Sequence, residues 1–490
     1  MSHNPEIDDL LVRDGGTIRD ALAVIDHNAQ GICFVVDGGG KLVGVITDGD
    51  IRRALIAGGT LQQPLADVME RNFTALPVTA PAERIQEKFT SAVRHIPLLD
   101  ERGVPVDCAN LHRAHRIQVM SPQLDGNELN YVTECLRTGW ISSQGAFVKK
   151  FEAQFGERCA MPHALAVSNG TVAIHLALEA LGVGEGDEVI VPDLTFAASI
   201  NTILHARATP VIADVHPDTW TLDPAEVERL ITPRTKAIMP VHLYGHPCHM
   251  DELMAIAKKH KLFVVEDCAE ALGALYKGKP VGSFGDAATF SFFGNKTITT
   301  GEGGMTLFRD PAVAERAIVL RDHGMDKQKR YWHQMVGYNY RMTNVQAAIG
   351  VAQLERLDEF VQAKRNLATV YNAGLSAING VTLPPEEEWA FNGFWLYSCI
   401  LGESFGMQRD ELMEKMMRNG VETRPLFYPL HEMPPYQEFV LPGQRFEVST
   451  RLSQAGISLP SSVTITAAEQ ESVLNAMRSI HGTRKLHATV

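Results

Sequence analysis

From about residue 121 to about residue 360, short apolar segments alternate with amphipathic segments of helical length. The apolar segments are rich in β-branched residues, as strands are, and the segments between them follow helical spacing. Such a long alternation predicts a mostly parallel sheet with helices on both faces. The predicted strands and helices are EVIVP (188–192), PVIADV (210–215), AIMPVHLY (237–244), LFVVEDC (262–268), ATFSFF (288–293), MTLF (305–308), TVAIHLALEAL (171–181) and MDELMAIAKKH (250–260).

The sequence before this region contains a weak internal repeat. Aligning FVVDGGGKLVGVI with PLLDERGVPVDCA superimposes Asp37 on Asp100, 63 residues later. Each copy predicts a small unit of strands and helices that buries its apolar face against the other copy. The helices predicted in the two copies cover 17–27, 48–58, 80–93 and 109–117. The sequence therefore predicts three domains, 1–115, 116–360 and 361–490, of which the last is a smaller α+β domain.

The sequence Ser168-Asn169-Gly170-Thr171 leads into the apolar helix predicted over 171–181. A turn of small residues at a helix start leaves N–H groups free at the positive end of the helix dipole. Phosphate is the usual occupant of such a site. An ordinary helix cap, which uses the same residue types, is the simpler interpretation of this segment alone.

Two ionisable residues follow predicted strands. Asp267, next to Glu266, stands at the C-terminal end of an apolar strand, where open α/β sheets bind their ligands. A charge buried there needs a cationic partner, although a helix cap would also explain the aspartate. Lys296 follows another apolar strand and precedes a Gly-rich turn. A desolvated lysine amine can form a Schiff base with a carbonyl compound, and a solvated surface lysine is the alternative.

The order of these three features points to one cofactor. A phosphate site at a helix start, an aspartate at a strand end and a lysine 29 residues later are the groups that pyridoxal phosphate requires. The helix start binds the phosphate, the aspartate keeps the ring nitrogen protonated, and the lysine binds the cofactor covalently. The same order suits the aspartate-aminotransferase-like fold, which is fold type I of the pyridoxal-phosphate enzymes.

From about Ser121 to its end, the chain resembles the DegT/StrS family of sugar aminotransferases. The resemblance rests on LDGNELNYVTECLRTGWISSQG (124–145), VPDLTFAAS (191–199), VHLYGHPCHMD (241–251), EDCAEALGA (266–274), FSFFGNKTITTGEGGM (290–305), GYNYRMTNVQAAIG (337–350) and TRPLFYPLHEMPPY (423–436). It implies pyridoxal 5'-phosphate as the cofactor, with pyridoxamine phosphate as its aminated form. The implied reaction moves the amino group of L-glutamate to C4 of a nucleotide-linked 4-keto-6-deoxy sugar, for a cell-surface polysaccharide such as O-antigen.

The resemblance also implies roles for residues around the cofactor ring. Lys296 is the lysine that binds the cofactor and moves the proton, and Asp267 pairs with the ring nitrogen. Phe196 matches the aromatic residue that stacks on the ring. Glu270 lies where the family often has Gln or His near the ring oxygen. A carboxylate beside a phenolate is unfavourable unless one is protonated or a lysine lies between them, so a structural role for Glu270 is the alternative.

Other roles concern the phosphate, the partner subunit and the substrate. Gly170, Thr171 and Ser291 are expected to bind the phosphate. Asn339, or Arg341 in its place, is expected to reach the phosphate of a neighbouring subunit, which implies a homodimer or higher homo-oligomer. Substrate contact, or a hydrogen-bonded structural role instead, is expected for His242, Tyr244, His246, His323, Arg424 and His431.

The N-terminal repeat resembles a tandem pair of CBS domains, modules that sense adenosyl nucleotides. In GVITDGD (44–50), Thr47 and Asp50 match the residues that contact a ribose in that family. The second copy has VDCAN (106–110) in the matching stretch, where Asp107 adds a negative charge that opposes phosphate. We therefore expect at most one weak nucleotide site there, or an empty scaffold.

Composition excludes several classes of protein. The net charge of −13 argues against a protein held to nucleic acid by bulk positive charge. No apolar run approaches the ~18 residues of a membrane span, and the polar opening does not resemble a signal peptide. The seven cysteines form no CxxC pair, so we expect reduced thiols, no metal and a cytoplasmic location.

Three alternative functions differ in the residues they require. Cystathionine β-synthase also combines CBS and pyridoxal-phosphate modules, but it carries its lysine early and lacks the upstream aspartate, so we reject it. A sugar dehydratase of the same family has His in place of the lysine, whereas this chain has Lys296. A nucleotide-sensing regulatory protein with a vestigial catalytic domain would not need the intact pair of Asp267 and Lys296.

Overall fold

The structure is a computed structural model that describes residues 5–28, 30–80, 84–85, 87–90, 93–110 and 117–487. The chain forms two compact units, Met1–Arg116 and Ile117–Val490. Much of the helices predicted over 80–93 and 109–117, and the domain boundary predicted at residue 115, lie outside the described residues.

The described residues of the first unit form two three-stranded sheets of the same design. In each sheet the middle strand pairs in parallel with the first strand and antiparallel with the third. The middle strands begin 63 residues apart, as do the third strands, so the predicted repeat is confirmed. The strands are β1 (Leu11–Arg13), β2 (Ile32–Val36), β3 (Leu42–Thr47), β4 (Leu76–Pro77), β5 (His95–Leu99) and β6 (Pro105–Asn110), and the helices of the first copy are α1 (Ile18–Asn28) and α2 (Asp48–Ile56).

The second unit is built on a seven-stranded sheet. Its strands are β7 (His163–Val167), β8 (Glu188–Pro192), β9 (Thr209–Ala213), β10 (Thr235–Ile238), β11 (Phe263–Asp267), β14 (Ala287–Ser291) and β15 (Gly304–Phe308). They lie in the order β7-β15-β14-β11-β10-β8-β9. All neighbouring pairs are parallel except the two that involve β15. The predicted mostly parallel sheet is therefore confirmed.

Helices cover both faces of this sheet. Successive residues of a strand point to opposite faces, and Ala287 and Ala288 of β14 accordingly belong to different core clusters. The helices of the unit are α3 (Glu128–Thr138), α4 (Ala146–Arg158), α5 (Gly170–Leu181), α6 (Ala198–His205), α7 (Pro224–Leu230), α8 (Met250–His260), α9 (Pro311–Arg321), α10 (Asn344–Leu354), α11 (Leu357–Leu375), α12 (Arg409–Arg418), α13 (Glu447–Ala455) and α14 (Ala467–His487). Phenylalanines of α4 pack on the face that carries Ala288, and α5 and α9 pack on the face that carries Ala287.

One predicted strand is too long. The segment 237–244 was expected to be a strand throughout, whereas β10 ends at Ile238. Pro240 has no N–H group to continue the ladder, and the chain then turns at Tyr244, whose φ is 51°. The chain still follows the end of the neighbouring strand, because Val241 forms an isolated bridge with Asp267.

The last part of the chain is α+β, as predicted. Helix α11 runs through the predicted boundary at residue 360. A four-stranded antiparallel sheet follows, with β16 (Val381–Thr382), β18 (Tyr397–Leu401), β20 (Gly456–Leu459) and β19 (Arg424–Pro425) in that order. A second, smaller sheet contains β12 (Leu275–Tyr276), β13 (Lys279–Pro280) and β17 (Ala390–Phe391).

All seven cysteines are buried, and none forms a disulfide within the described residues. Among those residues, no helix combines the length and the apolar character needed to cross a bilayer.

Candidate active site

The start of α5 lies directly against the end of β14. Asn169 caps the helix, since its side-chain oxygen accepts a hydrogen bond from Val172 N at 3.0 Å. A Cβ atom on Gly170 would lie 2.7 Å from Cβ of Ser291, so only glycine allows this approach. The helix start, Thr171 and the Ser291 hydroxyl are thereby brought together. The helix cap is compatible with the predicted phosphate site, because Asn169 satisfies only one of the N–H groups at the helix start.

Asp267 ends β11 and is 5% exposed. Its carboxylate accepts hydrogen bonds from Ser199 Oγ at 2.8 Å and from Ala269 N at 3.1 Å. Burial raises the pKa of Asp267, and these hydrogen bonds and the nearby Lys296 oppose that rise. A buried carboxylate of this kind is stabilised by a cationic ring nitrogen.

Lys296 is not a solvated surface residue. Its side chain is only 12% exposed, and Nζ lies 3.9 Å from Oε1 of Glu270. The same nitrogen lies 3.6 Å from the centroid of the Trp395 ring. Burial lowers the pKa of Lys296, while the carboxylates of Glu270 and Asp267 act in the opposite direction. An amine with a lowered pKa is the nucleophile that Schiff-base formation needs.

Glu270 is brought to the same place as Lys296. Its side chain is 4% exposed, and Oε2 accepts a hydrogen bond from Tyr244 N at 2.9 Å. Burial raises the pKa of Glu270 to about 7, although Lys296 and the Tyr244 N–H group act to lower it. A carboxylate can approach a phenolate when one of them is protonated or a lysine lies between them, and Lys296 lies next to Glu270.

A row of aromatic side chains runs from Lys296 towards the surface. Trp395 and Tyr244 stack with ring centroids 6.1 Å apart, and Tyr244 and Phe427 stack at 5.4 Å. Phe196 follows at 5.9 Å from Phe427 and is 59% exposed. The predicted ring-stacking residue therefore presents a free aromatic face. Trp395 was missed because it lies in none of the family motifs, and Phe427 was missed because no role was assigned to it within the motif 423–436.

His242 is placed in the core and not at a surface that a substrate could reach. The ring is fully buried, with Nε2 3.1 Å from Oε2 of Glu266 and Nδ1 accepting a hydrogen bond from Cys248 N at 3.0 Å. Both ring nitrogens are therefore engaged, and the structural alternative is the one that the contacts favour. Ligand atoms of His242, Glu266 and Cys268 lie within 4.8 Å of one another.

This cluster has the hydrogen bonds of a structural element. Glu266 accepts three backbone hydrogen bonds, from Gly282, Phe284 and Gly285, at 2.7–2.8 Å. Burial raises the pKa of the Cys268 thiol to about 12, so it is not a thiolate. The cluster therefore fixes the segment 282–285 to the strand that ends in Asp267.

The other expected substrate residues lie in different settings. Tyr244 is buried, and its hydroxyl accepts a hydrogen bond from Phe427 N at 2.9 Å. His246 is also buried, with Nδ1 2.8 Å from the carbonyl oxygen of Pro247. His323 is exposed, and Nη2 of Arg424 lies 3.5 Å from Oε1 of Glu422.

His431 is held by a buried carboxylate that the sequence did not identify. Its Nδ1 lies 2.7 Å from Oδ2 of Asp193, and its ring stacks on Phe446 with centroids 4.4 Å apart. Burial lowers the pKa of His431, but the hydrogen bond and charge of Asp193, together with Glu432 and Asp214, raise it, and the net shift is upward. Asp193 also accepts hydrogen bonds from Ser449 Oγ and from His431 N.

Asn339 lies on an exposed segment and contacts Arg341, the residue that was expected to reach the partner's phosphate if Asn339 does not. Arg341 Nε donates to Asn339 Oδ1 at 3.2 Å, and Arg341 Nη1 lies 2.9 Å from Asp322 Oδ1. The pair is therefore coupled, and Asp322 fixes Arg341 from the other side.

In the first unit, Thr47 caps α2 and forms a capping box with Asp50. Thr47 Oγ1 donates to Asp50 Oδ2 at 2.6 Å, and Arg53 Nη2 donates to Asp50 Oδ1 at 2.5 Å. A cavity of about 500 Å³ lies beside Asp50, between α2 and Asp67. The two residues expected to contact a ribose are therefore also hydrogen-bonded to each other.

The residues of the second unit fit pyridoxal phosphate. Gly170 leaves a cradle that a Cβ atom would fill, Asp267 is a buried carboxylate at the sheet edge, and Lys296 is a buried amine beside both Glu270 and Asp267. Together with the sheet, this site defines a pyridoxal-phosphate-dependent enzyme of fold type I.

Residues 122–478 match the DegT/DnrJ/EryC1/StrS aminotransferase family, and residues 1–57 match the CBS domain. The chain belongs to the DegT/DnrJ/EryC1/StrS family and is a pyridoxal-phosphate-dependent sugar aminotransferase with a CBS domain at its N-terminus. The resemblance found in the sequence is thereby confirmed.

Characterised relatives support the family at the level of sequence and of structure. GDP-perosamine synthase of Caulobacter vibrioides is 49% identical over 74% of this chain and 98% of its own length. The enzyme of the same name from Vibrio cholerae is 46% identical over 70% and 94%. DesV of S. venezuelae superimposes with a TM-score of 0.69 at 35% identity, over 72% of this chain and 94% of its own. The PLP-form of Spr1654 from Streptococcus pneumoniae superimposes with a TM-score of 0.71 at 27% identity, over 75% of this chain and 99% of its own.

Proposed function

We propose that the chain transfers the amino group of L-glutamate to C4 of a GDP-linked 4-keto-6-deoxy sugar, as a GDP-perosamine synthase. The observation that carries this proposal is the identity of 46–49% to three GDP-perosamine synthases, over 93–98% of their lengths. The product would serve the synthesis of a cell-surface polysaccharide such as the O-antigen of lipopolysaccharide, and the reaction would take place in the cytoplasm.

The chemistry follows from the groups around Lys296. Pyridoxal phosphate, when bound, supplies an electron sink that stabilises negative charge on the carbon next to the amino group. Asp267 would keep the ring nitrogen protonated, because its buried carboxylate requires a cationic partner. Lys296 Nζ would take up a proton and return it at a neighbouring carbon, which a buried amine with a lowered pKa can do near neutral pH.

Glu270 would keep a proton close to Lys296. The distance of 3.9 Å allows the carboxylate to stabilise the ammonium form of the lysine, and burial favours a protonated Glu270 when the lysine is neutral. The pair can therefore share one proton between its two members. A protonated Glu270 could also approach the ring oxygen without charge repulsion.

The remaining cofactor residues would bind and orient the group. Gly170, Thr171 and Ser291 offer N–H and hydroxyl donors to the phosphate. Phe196 offers an exposed ring for stacking, and its neighbour Phe427 contacts it in a tilted arrangement at 5.9 Å.

We propose a homodimer, or a higher homo-oligomer built from it, in which Asn339 completes the phosphate site of the partner subunit. Asn339 is exposed and lies on a segment that follows a group of exposed apolar side chains. Tyr331 is 75% exposed, Trp332 54% and Val336 90%. Large apolar side chains that lie together on a surface are typical of protein contacts, and a second copy would cover them.

On the substrate side, His323, Arg424 and His431 remain our proposed contacts. An arginine and a histidine with a raised pKa are suitable partners for the anionic groups of a nucleotide or of glutamate. The burial of His242 and Tyr244 favours positioning roles for these two residues. Tyr244, for example, holds Glu270 through the hydrogen bond that its N–H group donates.

For the N-terminal repeat we propose a regulatory or assembly role, with at most one nucleotide at Thr47 and Asp50. The cavity beside Asp50 supports this position. A nucleotide can change the activity only if it binds two states of the enzyme with different affinity. Calorimetry of the full chain and of Asp50→Ala with AMP, ATP, GDP and GTP tests it; equal binding to both proteins would place the site elsewhere.

The substrate is tested by a panel of nucleotide sugars. The protein is first incubated with L-glutamate, separated from it, and then offered GDP-, UDP- and dTDP-linked 4-keto-6-deoxy sugars. We expect a 4-amino sugar from the GDP-linked compound, and parallel double-reciprocal plots in steady state. A 3-deoxy product without amine incorporation would indicate a dehydratase. Absence of both products in protein that holds the cofactor would indicate a regulatory protein with a vestigial catalytic domain.

A further inference from the structure

We propose that Trp395 is a positioning residue for Lys296: its indole face holds the lysine amine beside Glu270 whenever that amine is not bound to the cofactor. The inference rests on Lys296 being the cofactor lysine, but it does not depend on the identity of the sugar. Lys296 follows β14 in the large sheet, whereas Trp395 lies just before β18 in the C-terminal sheet.

The contact has the geometry of a cation–π interaction. Nζ of Lys296 lies 3.6 Å from the centroid of the indole ring, and Oε1 of Glu270 lies 3.9 Å from the same nitrogen. Trp395 is 4% exposed, so little water competes for the amine. Tryptophan is the aromatic side chain that attracts a cation most strongly, and the attraction grows when the site is desolvated.

Trp395 is itself fixed by three contacts. Its Nε1–H group donates to the carbonyl oxygen of Asn295 at 2.7 Å, next to Lys296 in the chain. Its ring stacks on Tyr244 with an interplanar angle of 9°. Its carbonyl oxygen accepts a hydrogen bond from Nζ of Lys364 at 3.0 Å. Lys364 is 1% exposed and also donates to the carbonyl oxygen of Ser461 at 2.9 Å, so it ties the tryptophan to the core.

The backbone where Trp395 and Tyr244 meet is strained. Tyr244 and Phe394 have φ values of 51° and 44°, in a region that side chains other than glycine rarely occupy. Gly245 makes the close approach possible, since a Cβ atom there would lie 2.4 Å from Phe394 N. Strain of this kind persists only where the surrounding structure imposes it, and it is concentrated at functional sites. The packing thus forces the indole into its place above Lys296.

This arrangement explains how a buried amine can carry a proton. Burial favours the neutral form of Lys296, while the Trp395 face and the carboxylates of Glu270 and Asp267 favour the ammonium form. The Lys364 amine, whose pKa burial lowers to about 7, lies on the backbone side of Trp395, where it donates to the carbonyl oxygen. Removal of the indole should leave Lys296 both less basic and less ordered.

The test measures the titration of Lys296 itself. Full-length protein, freed of the cofactor, is labelled competitively with a small acylating reagent across a pH series, and the Lys296 peptide is quantified by mass spectrometry. We expect Trp395→Leu to lower the apparent pKa of Lys296 by about half a unit to one unit. Trp395→Phe should give an intermediate value, because it retains a weaker aromatic face.

A second readout also uses the cofactor-free protein: the pH dependence of the rate at which added pyridoxal phosphate reacts with the Lys296 amine should shift in the same order. Trp389→Leu is the matched control, since this tryptophan packs on His246, His249 and Tyr276, away from Lys296. If Trp395→Leu does not fold, Trp395→Phe and Trp395→Tyr decide the matter. If Lys296 in the folded Trp395 variants has the same apparent pKa as in the wild type, the inference is overturned. A failed sugar assay with shifted titration would count against the proposed substrate and not against Trp395.

Discussion

Nζ of Lys296 and Oε1 of Glu270 lie 3.9 Å apart, and the side chains of both residues are almost fully buried. Burial alone would make both groups neutral, and each carries a pKa shift in that direction. Their proximity has the opposite effect on each, because the charged forms attract one another. The site therefore contains a proton that either group can hold, next to the aspartate that the cofactor ring requires.

Replacement of Glu270 by Gln tests this sharing. The amide still accepts the Tyr244 N–H hydrogen bond but no longer stabilises the ammonium form of Lys296. The apparent pKa of the Lys296 amine, measured by competitive acylation of the cofactor-free protein, should therefore fall by about one unit. Glu252→Gln, at a side chain that is 67% exposed, serves as the control. An unchanged titration in Glu270→Gln would show that the two groups are not coupled.

Gly170→Ala should weaken cofactor binding. The new Cβ atom would lie 2.7 Å from Cβ of Ser291, so the helix start or the serine must move. We expect the cofactor dissociation constant, measured by spectroscopic titration, to rise by roughly 10-fold or more, as losing one or two hydrogen bonds to a charged group would produce. Gly184→Ala is the control, because its Cβ atom would have no neighbour closer than 3.8 Å. Equal dissociation constants for the two variants would refute the phosphate assignment.

The shared site is tested by mixing two inactive variants. In a hybrid of Lys296→Ala with Asn339→Ala subunits, one site has both residues intact and the other has lost both. Random exchange in a dimer should then restore about a quarter of the wild-type activity. Subunit exchange is verified by native mass spectrometry. Complete exchange without recovery would mean that Asn339 acts within its own subunit or not at all.

Lys364 should make stability depend on pH. Burial lowers the pKa of Lys364 to about 7, well below its value in the unfolded chain. Between about pH 7 and pH 10 the unfolded chain binds this proton and the folded chain does not, so folding should become more favourable as pH rises. The free energy of unfolding, measured with denaturant, should rise by roughly 2–4 kcal/mol more in the wild type than in Lys364→Met over this range. Parallel pH profiles of the two proteins would contradict this.

The sequence was sufficient to single out Asp267 and Lys296, which the structure brings to the carboxyl ends of neighbouring strands. Asp267 ends β11, and Lys296 follows the adjacent strand β14. The order of the two residues in the chain predicted a shared cofactor site, and the parallel pairing of these strands brings both to the same edge of the sheet. The start of α5 could not be interpreted by itself, since an ordinary helix cap uses the same small residues, and only its order before Asp267 and Lys296 indicated a phosphate site.

What the sequence left open or missed depends on tertiary packing. For His242 both a substrate contact and a structural role were open, and its pairing with Glu266, 24 residues later, in the core favours the structural role. The strand predicted over 237–244 was too long because the residues after Pro240 are also apolar. These residues are buried by packing against neighbouring segments, although they do not continue the strand. Trp395 reaches Asn295 across 100 residues of chain, and no local pattern indicates such a contact.

The most direct test of the account is the chemical identity of the residue that holds the cofactor. The holoenzyme is reduced with borohydride, digested, and mapped by mass spectrometry. We predict that the cofactor mass lies on the peptide that contains Lys296, and that Lys296→Arg, which keeps the positive charge, abolishes this labelling while the protein remains folded. A label on any other lysine, or no label in protein that is saturated with pyridoxal phosphate, would contradict the account.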